Sequence, residues 1–245
     1  MPAAALLAAI RAVVDDNPAW GVRKVWAVLR DRGIRAGRAR IWALMRAHGL
    51  VLARDREPGD PPRGHVAVPV PNRRFATDLT TIWTTRDGRV AVVPTIDCGC
   101  RSVLAITVTV DQHAPAVLAS VDLALEAAFG TPAAVPDGVE LRTDHGPQYT
   151  GADCEDLLAR WGVDHTFAPV GRPTGNAVCE RVIRTLKEEL LWLKDWENAA
   201  EVACAVEVWR RKYNDQRPHQ ALGWLTPSAW RAANLPAADA LSAAA

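Results

Sequence analysis

The chain has 245 residues, of which 49% are hydrophobic and 23% are charged, and this composition excludes a disordered or a fibrous protein. Its length allows one large domain, or one domain with a small additional module. The formal net charge of +1 argues against a polycation that binds nucleic acids indiscriminately.

Charge is distributed unequally along the chain. Residues 1–75 carry 14 basic and 6 acidic side chains, residues 76–170 carry 5 and 13, and residues 171–245 carry 10 and 9. The three parts therefore have net charges of +8, −8 and +1. We interpret this segregation as a basic arm and an acidic centre with different tasks.

Neither a membrane span nor a secretory signal is expected. The longest apolar runs, such as Pro2–Ile10, are shorter than the roughly 18 residues that a span requires, and no basic stretch follows Met1. Five cysteines are scattered without paired C-x-x-C spacing, which favours reduced thiols over a zinc site. We therefore expect a cytoplasmic protein.

The first module, residues 1–53, is predicted to be helical. Apolar residues recur at helical spacing in Ala4–Val14, Gly21–Arg32 and Arg38–His48. The last two helices, lined with arginine and joined by a short turn, fit a DNA-binding helix-turn-helix, but they fit equally well a helical hairpin whose arginines are only solvated. In the first interpretation, the candidates for DNA contact are Arg23, Lys24, Arg38 and Arg40.

A linker and a second domain follow. Residues 54–71 contain five prolines and two glycines, which disfavours both helix and sheet. The remainder divides into a domain over residues 72–235 and an alanine-rich tail over residues 236–245. Strands are predicted at Phe75–Trp83, Val90–Ile96, Val103–Val110, Val139–Thr143 and Val163–Phe167, and helices at Pro115–Phe129, Asp153–Trp161 and Asn176–Leu193. This order predicts an α/β fold with a mixed five-stranded sheet flanked by helices.

Three carboxylates occupy positions where a charge needs an explanation. Asp78 lies inside an apolar and β-branched strand, Asp144 ends the fourth strand, and Glu180 lies beside the apolar stripe of the last long helix. A single such acid is commonly a helix cap, a turn residue or half of a salt bridge. Three acids that converge on one sheet edge repel one another unless divalent cations bind them, and oxygen ligands suit Mg²⁺ or Mn²⁺. Such a site is typical of two-metal phosphoryl transfer.

The sequences around these acids resemble one family. Asp144 and Glu180 are separated by 180 − 144 − 1 = 35 residues, and with Asp78 they match the D,D(35)E signature of the retroviral-integrase superfamily. More specifically, the chain resembles the catalytic protein encoded by the second reading frame of two-frame bacterial insertion sequences. The matching motifs, over essentially residues 20–230, are Thr77–Thr80, Thr143–Thr150, Gly175–Glu180 and Thr185–Leu190, then Tyr213-Asn214, Arg217-Pro218-His219, Leu222-Gly223 and Thr226-Pro227.

The resemblance implies a fold, a reaction and a metal site. The fold would be a ribonuclease-H-like core in which Asp78, Asp144 and Glu180 hold two Mg²⁺ or Mn²⁺ ions. The reaction would be that of a transposase, which cleaves one DNA strand at a transposon end and joins the exposed 3′-hydroxyl to another strand. Lys187 would contact DNA near the scissile phosphate, and its spacing of seven residues places it on the helix face of Glu180. The alternative for Lys187 is a surface lysine paired with Glu188 or Glu189.

Other residues of these motifs are candidates for DNA contact. Gln148 and Tyr149 either reach DNA at the mouth of the site or only order the loop after Asp144. His145 stands where the family usually has arginine or lysine, and Trp20-Gly21 replaces its usual Tyr-Gly, but neither change touches a predicted metal ligand. Asp97 is interpreted as a turn residue and not as a fourth acid of the site. The remaining candidates for DNA contact are Asn176, Arg184, Arg217 and His219.

The resemblance also implies partners. The substrate would be double-stranded DNA, both the transposon ends and the target, in the bacterial cytoplasm and in association with the nucleoid. The first-frame protein of such elements usually supplies the main helix-turn-helix and a coiled coil. We therefore expect such a partner or a frameshifted fusion, a homo-oligomer on DNA, and no membrane association.

Two rival functions stay open at this point. One is a DNA-binding protein that keeps the fold and no longer catalyses. The other is a ribonuclease-H-like nuclease that hydrolyses DNA without joining strands.

Overall fold

The computed structural model describes residues 1–51, 68, 70–168 and 176–235. The predicted tail lies outside these residues, as does the predicted linker apart from residues 68, 70 and 71. The chain forms two units: the described residues of Met1–Pro62 with Arg217–Thr226, and those of Arg63–Gln216 with Pro227–Ala245.

The N-terminal unit contains the three predicted helices, α1 (Ala3–Asp16), α2 (Val22–Asp31) and α3 (Arg38–Ala47). Their apolar faces meet in one core, because the apolar side chains recur once per turn. Gly33, at a φ of 77°, makes the turn after α2, a conformation in which other residues are strained. The fully buried side chains of this core are Leu6, Ile10, Val25, Leu29, Ile41 and Met45.

The second unit is built on a mixed sheet of six strands. The strands are β1 (Arg74–Thr77), β2 (Thr80–Thr84), β3 (Gly88–Asp97), β4 (Val103–Thr109), β5 (Glu140–Thr143) and β6 (Asp164–Phe167). β3 pairs antiparallel with β4 and also with β2 and β1. β5 pairs parallel with both β1 and β6. The mixed sheet confirms the predicted α/β fold class, but the predicted number of five strands is wrong.

The first predicted strand, Phe75–Trp83, is wrong as a single strand. It consists of β1 and β2, which pair with successive parts of β3 and are separated by Asp78 and Leu79. Asp78 therefore does not lie inside a strand but directly after one. The break has a local cause, because the Asp78 carboxylate accepts the Leu79 N–H at 2.7 Å and so competes with the ladder for this donor.

Helices cover both faces of the sheet. Against one face lie α4 (Ala114–Phe129) and α5 (Ala152–Trp161), whose apolar side chains pack with Phe75, Val93 and Leu141. Against the other face lie α6 (Ala177–Leu186) and α7 (Ala199–Asp215). The sheet thus has a hydrophobic core on each side, as expected for strands that are buried on both faces.

The last predicted long helix, Asn176–Leu193, is shorter than expected. Its α-helical part, α6, ends at Leu186, and Lys187–Leu191 continues as a π-helical turn. In a π turn the backbone hydrogen bonds span five residues, one more than in an α-helix, and such turns are found frequently at functional sites. Sequence periodicity over so few residues does not distinguish the two forms.

Asp97 orders the turn between β3 and β4, as predicted. Its fully buried carboxylate accepts backbone N–H groups of Asn72, Gly99 and Cys100. Arg231, on α8 (Pro227–Asn234), donates to the same carboxylate at 2.8 Å. Within the described part of the chain, no helix is long and apolar enough to cross a membrane.

Candidate active site

Asp78 and Asp144 follow neighbouring strands. Asp78 comes directly after β1 and Asp144 directly after β5, and these two strands pair in parallel. Since parallel strands end at the same sheet edge, the fold places both carboxylates at that edge.

The backbone of the loop after β5 holds the Asp144 carboxylate. The Gly146 N–H donates to its Oδ1 at 2.9 Å. A Cβ at Gly146 would lie 3.0 Å from this oxygen and 3.2 Å from Oε1 of Gln148. A glycine therefore lets the loop approach the carboxylate closely.

Glu180 lies in the first turn of α6 and is exposed. The buried residues Cys179, Val182, Ile183 and Leu186 anchor α6 against the sheet, so the adjacent helix position carries Glu180 out of the core. The Glu180 N–H donates to the carbonyl oxygen of Asn176 at 3.1 Å.

The three carboxylates share one electrostatic environment. The pKa of Asp78 is raised to about 6, mainly by burial and also by the negative charges of Asp144 and Glu180, although the Leu79 hydrogen bond and the charge of Lys187 act to lower it. A carboxylate that is both partly buried and close to like charges is a site for a cation. Asp144, Glu180 and Lys187 thus lie near enough to Asp78 to act on it electrostatically.

The donor set fits a hard divalent cation. It consists of carboxylate oxygens alone, which Mg²⁺ and Mn²⁺ prefer to softer ligands. Among the residues that the structure describes, no group of three or more His, Cys, Asp or Glu side chains already has the arrangement of a metal site. Asp78 and Asp144 each accept one backbone N–H group at Oδ1, which leaves lone pairs of both carboxylates for a cation.

Lys187 is half-buried where α6 passes into the π turn. Its ammonium group lies 5.9 Å from the ring centroid of Trp192. Arg184, one turn earlier, is exposed and forms an ion pair with Glu188 at 3.0 Å. Glu188, one of the two partners considered for Lys187, is thus paired with Arg184.

His145 and Gln148 lie in the loop after Asp144. The exposed His145 ring stacks on Phe167, at the end of β6, with centroids 4.7 Å apart and an interplanar angle of 20°. Gln148 Nε2 donates weakly, at 3.4 Å, to the carbonyl of Gln112. Both side chains therefore border the sheet edge that carries Asp144.

Tyr149 and Asn176 are buried, unlike the other candidates for DNA contact. Tyr149 is 1% exposed and packs in the core between the sheet, α4 and α5. Its position favours the second of the two interpretations, in which it orders the loop. Asn176 is 6% exposed and donates from Nδ2 to the carbonyl of Thr77 at 3.1 Å. The sequence predicts a DNA contact at Asn176, whereas its side chain faces the protein interior.

The remaining basic candidates belong to the N-terminal unit. Lys24 lies over Trp20, Arg38 over Trp26, and Arg40 donates to the carbonyl of Met1. Arg23 Nη1 is 3.5 Å from Oε1 of Gln220.

Arg217–Thr226 is part of the same unit. The rings of Trp26 and Trp224 meet edge to face with centroids 5.8 Å apart. Arg217 and His219, which are 3.4 Å apart, therefore group with the N-terminal helices.

Sequence reasoning missed Phe167 and the close approach at Gly146. Phe167 reads as an ordinary strand residue, and only the parallel pairing of Thr143 with Phe167 brings it beside His145. The motif Asp144-His145-Gly146 did contain a signal, since glycine next to a candidate ligand indicates close backbone approach.

Family models match three stretches of the chain. Two family models, each described as an integrase core domain, match residues 69–173 and 161–227. A third, described as an HTH-like domain, matches residues 2–58. The integrase matches together span residues 69–227, more than half of the chain, and include all three acids.

Curated relatives match almost the whole chain. An uncharacterized 31.7 kDa protein of insertion element IS407 from Burkholderia multivorans is 28% identical over 242 residues, which are 97% of this chain and 84% of the relative. Transposase InsD for insertion element IS2D from Escherichia coli is 29% identical over 233 residues, which are 91% of this chain and 76% of the relative.

Among solved structures, a chain in the cryoEM structure of the simian T-cell lymphotropic virus intasome in complex with PP2A regulatory subunit B56 gamma has a similar fold. The TM-score is 0.51 at 17% sequence identity, with 84% of this chain and 74% of that chain covered. The predicted ribonuclease-H-like fold of the second unit is thus confirmed.

Proposed function

The chain belongs to the integrase-core transposases of insertion sequences, and we propose that Asp78, Asp144 and Glu180 are its catalytic residues. The observation that carries this assignment is the parallel pairing of β1 with β5, which makes Asp78 and Asp144 neighbours, and the charges of Asp144 and Glu180 both act on Asp78. Asp78 and Asp144 follow neighbouring parallel strands, and Glu180 lies in the first turn of α6.

The three carboxylates would hold two Mg²⁺ or Mn²⁺ ions. When bound, the ions supply the Lewis acidity that activates the attacking oxygen and stabilises the leaving oxygen of a phosphodiester. The carboxylates bind and orient them, and the Leu79 and Gly146 N–H groups fix Asp78 and Asp144 in the loops that follow β1 and β5. The Lys187 ammonium group lies close enough to Asp78 to lower its pKa, and we assign it to the DNA phosphate at the site.

The substrate is double-stranded DNA, namely the element ends and a target. His145, Gln148 and Arg184 border the site and would contact the DNA there. Arg23, Lys24, Arg38, Arg40, Arg217 and His219 belong to the unit that includes the HTH-like match and would bind phosphates away from the acids. The active assembly would be a homo-oligomer on DNA in the bacterial cytoplasm, with a first-frame helix-turn-helix protein as partner or as a frameshifted fusion.

Strand transfer with labelled DNA tests this proposal. The full chain, with its first-frame partner if one is encoded upstream, is incubated with a labelled duplex that carries the terminal repeats flanking its own gene, a target plasmid and Mg²⁺. We expect nicking at the repeat boundary and joining of the labelled 3′ end to plasmid. Asp78→Asn, Asp144→Asn and Glu180→Gln should each lower both products by at least about a hundredfold. Persistence of both products in Asp78→Asn would overturn the assignment.

The same reaction separates the rival functions. A nuclease yields nicked products and no joined ones. A DNA-binding protein without catalysis shifts the duplex in a gel and leaves it intact in every metal tested.

A further inference from the structure

Asn176 connects the first and third acids of the site. Its Nδ2 donates to the carbonyl oxygen of Thr77 at 3.1 Å, and Thr77 directly precedes Asp78. Its own carbonyl oxygen accepts the N–H of Glu180 at 3.1 Å. One residue therefore bonds to Glu180 itself and to the peptide group that leads into Asp78.

The carbonyl of Thr77 needs a donor from outside the sheet. Thr77 pairs with Thr95 of β3, but the bond from the Cys98 N–H to the Arg74 carbonyl sets the alternation so that the Thr77 carbonyl points away from β3, toward β5. On that side the pairing of β1 with β5 ends at Ala76, one residue before Thr77. Thr77 is completely buried, and its hydroxyl is already used to donate to the carbonyl of Pro94 at 3.0 Å. Since buried backbone carbonyls are almost always hydrogen-bonded, the Asn176 amide completes the end of β1 where the sheet does not.

Local helix chemistry does not explain Asn176. Asparagine is a favoured residue at the position before a helix because its side-chain oxygen accepts an N–H of the first turn. Asn176 occupies this position at α6, yet its side chain makes no such bond. Its Oδ1 is buried and has no hydrogen-bond partner among the described residues. A buried acceptor without a donor is unfavourable, so the bond from Nδ2 to Thr77 comes at a cost in stability.

The chemistry of the amide suits this place. It donates a hydrogen bond without a charge, whereas an aspartate would add a fourth carboxylate beside three others and would face the lone pairs of the Thr77 carbonyl. An aliphatic residue would leave this carbonyl without a donor.

We propose that Asn176 is a positioning residue that fixes α6 against the end of β1 and thereby sets the separation of Asp78 and Glu180. The inference rests on the proposed function, because the separation matters only if both acids bind the same cations. Mg²⁺ demands near-ideal octahedral geometry, so a small displacement of one ligand weakens its binding. Groups that orient metal ligands typically change metal affinity or activity by about 10- to 100-fold when they are removed.

The primary test is Asn176→Asp in the full chain, which keeps the size and shape of the side chain and removes the donor. We expect turnover in the strand-transfer reaction to fall about 10- to 100-fold and the Mg²⁺ concentration for half-maximal rate to rise about tenfold. The Kd for end DNA, measured in EDTA by fluorescence anisotropy, should stay within about twofold of the wild type. Asn176→Ala should behave similarly, because it also lacks the donor.

Asn72 provides a matched control. It is 3% exposed, its Nδ2 donates to a backbone carbonyl, that of Ala128, and its Oδ1 is also buried without a partner among the described residues. Its backbone N–H donates to Asp97 and its Nδ2 donates to Ala128, and neither bond reaches one of the three acids. Asn72→Asp should lower the melting temperature as Asn176→Asp does, and should leave the Mg²⁺ requirement unchanged.

Three results would overturn the proposal. A weakened Kd for DNA with unchanged turnover and Mg²⁺ requirement would make Asn176 a DNA contact. Wild-type kinetics in Asn176→Asp would show that the donor is not needed. Loss of the folded circular-dichroism spectrum in both Asn176→Asp and Asn176→Ala would make its role one of fold stability. If the wild-type chain itself neither cleaves nor joins end DNA, the proposed function fails, which is a different outcome from wild-type activity that the Asn176 variants retain.

Discussion

At Asp78 the fold holds a carboxylate in surroundings that disfavour its charge. Burial and the neighbouring Asp144 and Glu180 raise its pKa from 3.8 to about 6. A carboxyl group whose pKa is higher in the folded than in the unfolded state makes folding less favourable once it is ionised. Without cations, this residue therefore destabilises the protein at neutral pH.

We predict that Asp78→Asn stabilises the metal-free protein at neutral pH, by on the order of 1–3 kcal/mol. The folded state binds more protons than the unfolded state between the two pKa values, so wild-type stability falls as pH rises from 3.8 to about 6. The variant should therefore have the same free energy of unfolding as the wild type below pH 3.8, and the full difference should be present above about pH 6. Urea unfolding in EDTA across this range measures it.

Addition of Mg²⁺ provides the control for this prediction. The cation should raise the melting temperature of the wild type and have much less effect on Asp78→Asn, because one ligand is missing. An asparagine variant that is less stable than the wild type in EDTA at neutral pH would contradict the prediction.

Single residues were partly predictable from the sequence. Asp78, Asp144 and Glu180 are recognisable because each interrupts an apolar pattern or ends an element. The burial of Tyr149 and Asn176 could not be predicted from the sequence. Both residues lie outside regular elements, where no periodicity indicates which way a side chain points.

At the scale of elements, a buried ion pair joins α8 to the turn between β3 and β4. Arg231 donates to the fully buried Asp97 at 2.8 Å, and the Arg231 side chain is 18% exposed. Asp97 also accepts three backbone N–H groups, and these hydrogen bonds stabilise the charge of its buried carboxylate. Removal of the arginine would leave this buried charge without its counter-ion.

We predict that Arg231→Met lowers the free energy of unfolding by about 1–3 kcal/mol. The loss should be smaller than for an isolated buried charge because the three N–H donors remain. Arg211→Met is the matched control. Arg211 is paired with Glu207 but is 73% exposed, so its loss should change stability by less than about 0.5 kcal/mol.

Urea denaturation followed by circular dichroism distinguishes the two variants. The double variant Asp97→Asn with Arg231→Met should lose less stability than the sum of the single variants. Equal losses in Arg231→Met and Arg211→Met would show that the buried pair does not stabilise α8.

Elements were predicted well where their pattern is long and poorly where it is short. The helices α1 to α5 and the strands β3 to β6 lie close to their predicted places. The division of the first strand was not foreseen, because Thr77 to Thr80 continues an apolar and β-branched run. What divides it is the hydrogen bond between Asp78 and the Leu79 N–H, which strand propensities do not describe.

At the scale of the whole molecule, the near-neutral chain combines parts of opposite charge. Residues 1–75 have a net charge of +8 and residues 76–170 one of −8. Two bound divalent cations carry four positive charges and would offset half of the net charge of −8 in residues 76–170. Affinity for DNA and catalysis should therefore respond to substitutions in different parts of the chain.

We predict that Arg23→Gln with Arg38→Gln raises the Kd for DNA of any sequence and lowers the slope of log K against log salt concentration by about 2, since each lost phosphate contact accounts for about 0.9. Turnover at saturating DNA should be unchanged. Lys187→Gln removes a single assigned phosphate contact, so it should lower turnover by about tenfold or more and change the slope by no more than about 0.9.

Anisotropy titrations over a range of salt concentrations, with strand transfer at saturating DNA, measure both effects. Arg160→Gln is a control, because Arg160 is exposed on α5 and is paired with Asp122. An unchanged salt slope together with lost turnover in the Arg23 and Arg38 variant would contradict this division of tasks.

The grouping of Arg217–Thr226 with the N-terminal helices could not be predicted from the sequence. The segment follows α7 directly and carries no composition that marks it as separate. Only tertiary contacts, such as that of Trp26 with Trp224, assign it to that unit.

The parallel pairing of β1 with β5 has a consequence for how the chain can vary. Asp78 and Asp144 are neighbours because their strands are adjacent, and the residues between them form β2 to β4 and α4. The number of residues between these two acids is therefore free to change without any change in their geometry. The exposed stretch Pro132–Ala134, before β5, is a place where evolution could lengthen the chain, or where an experimenter could insert a label, and leave the two acids side by side.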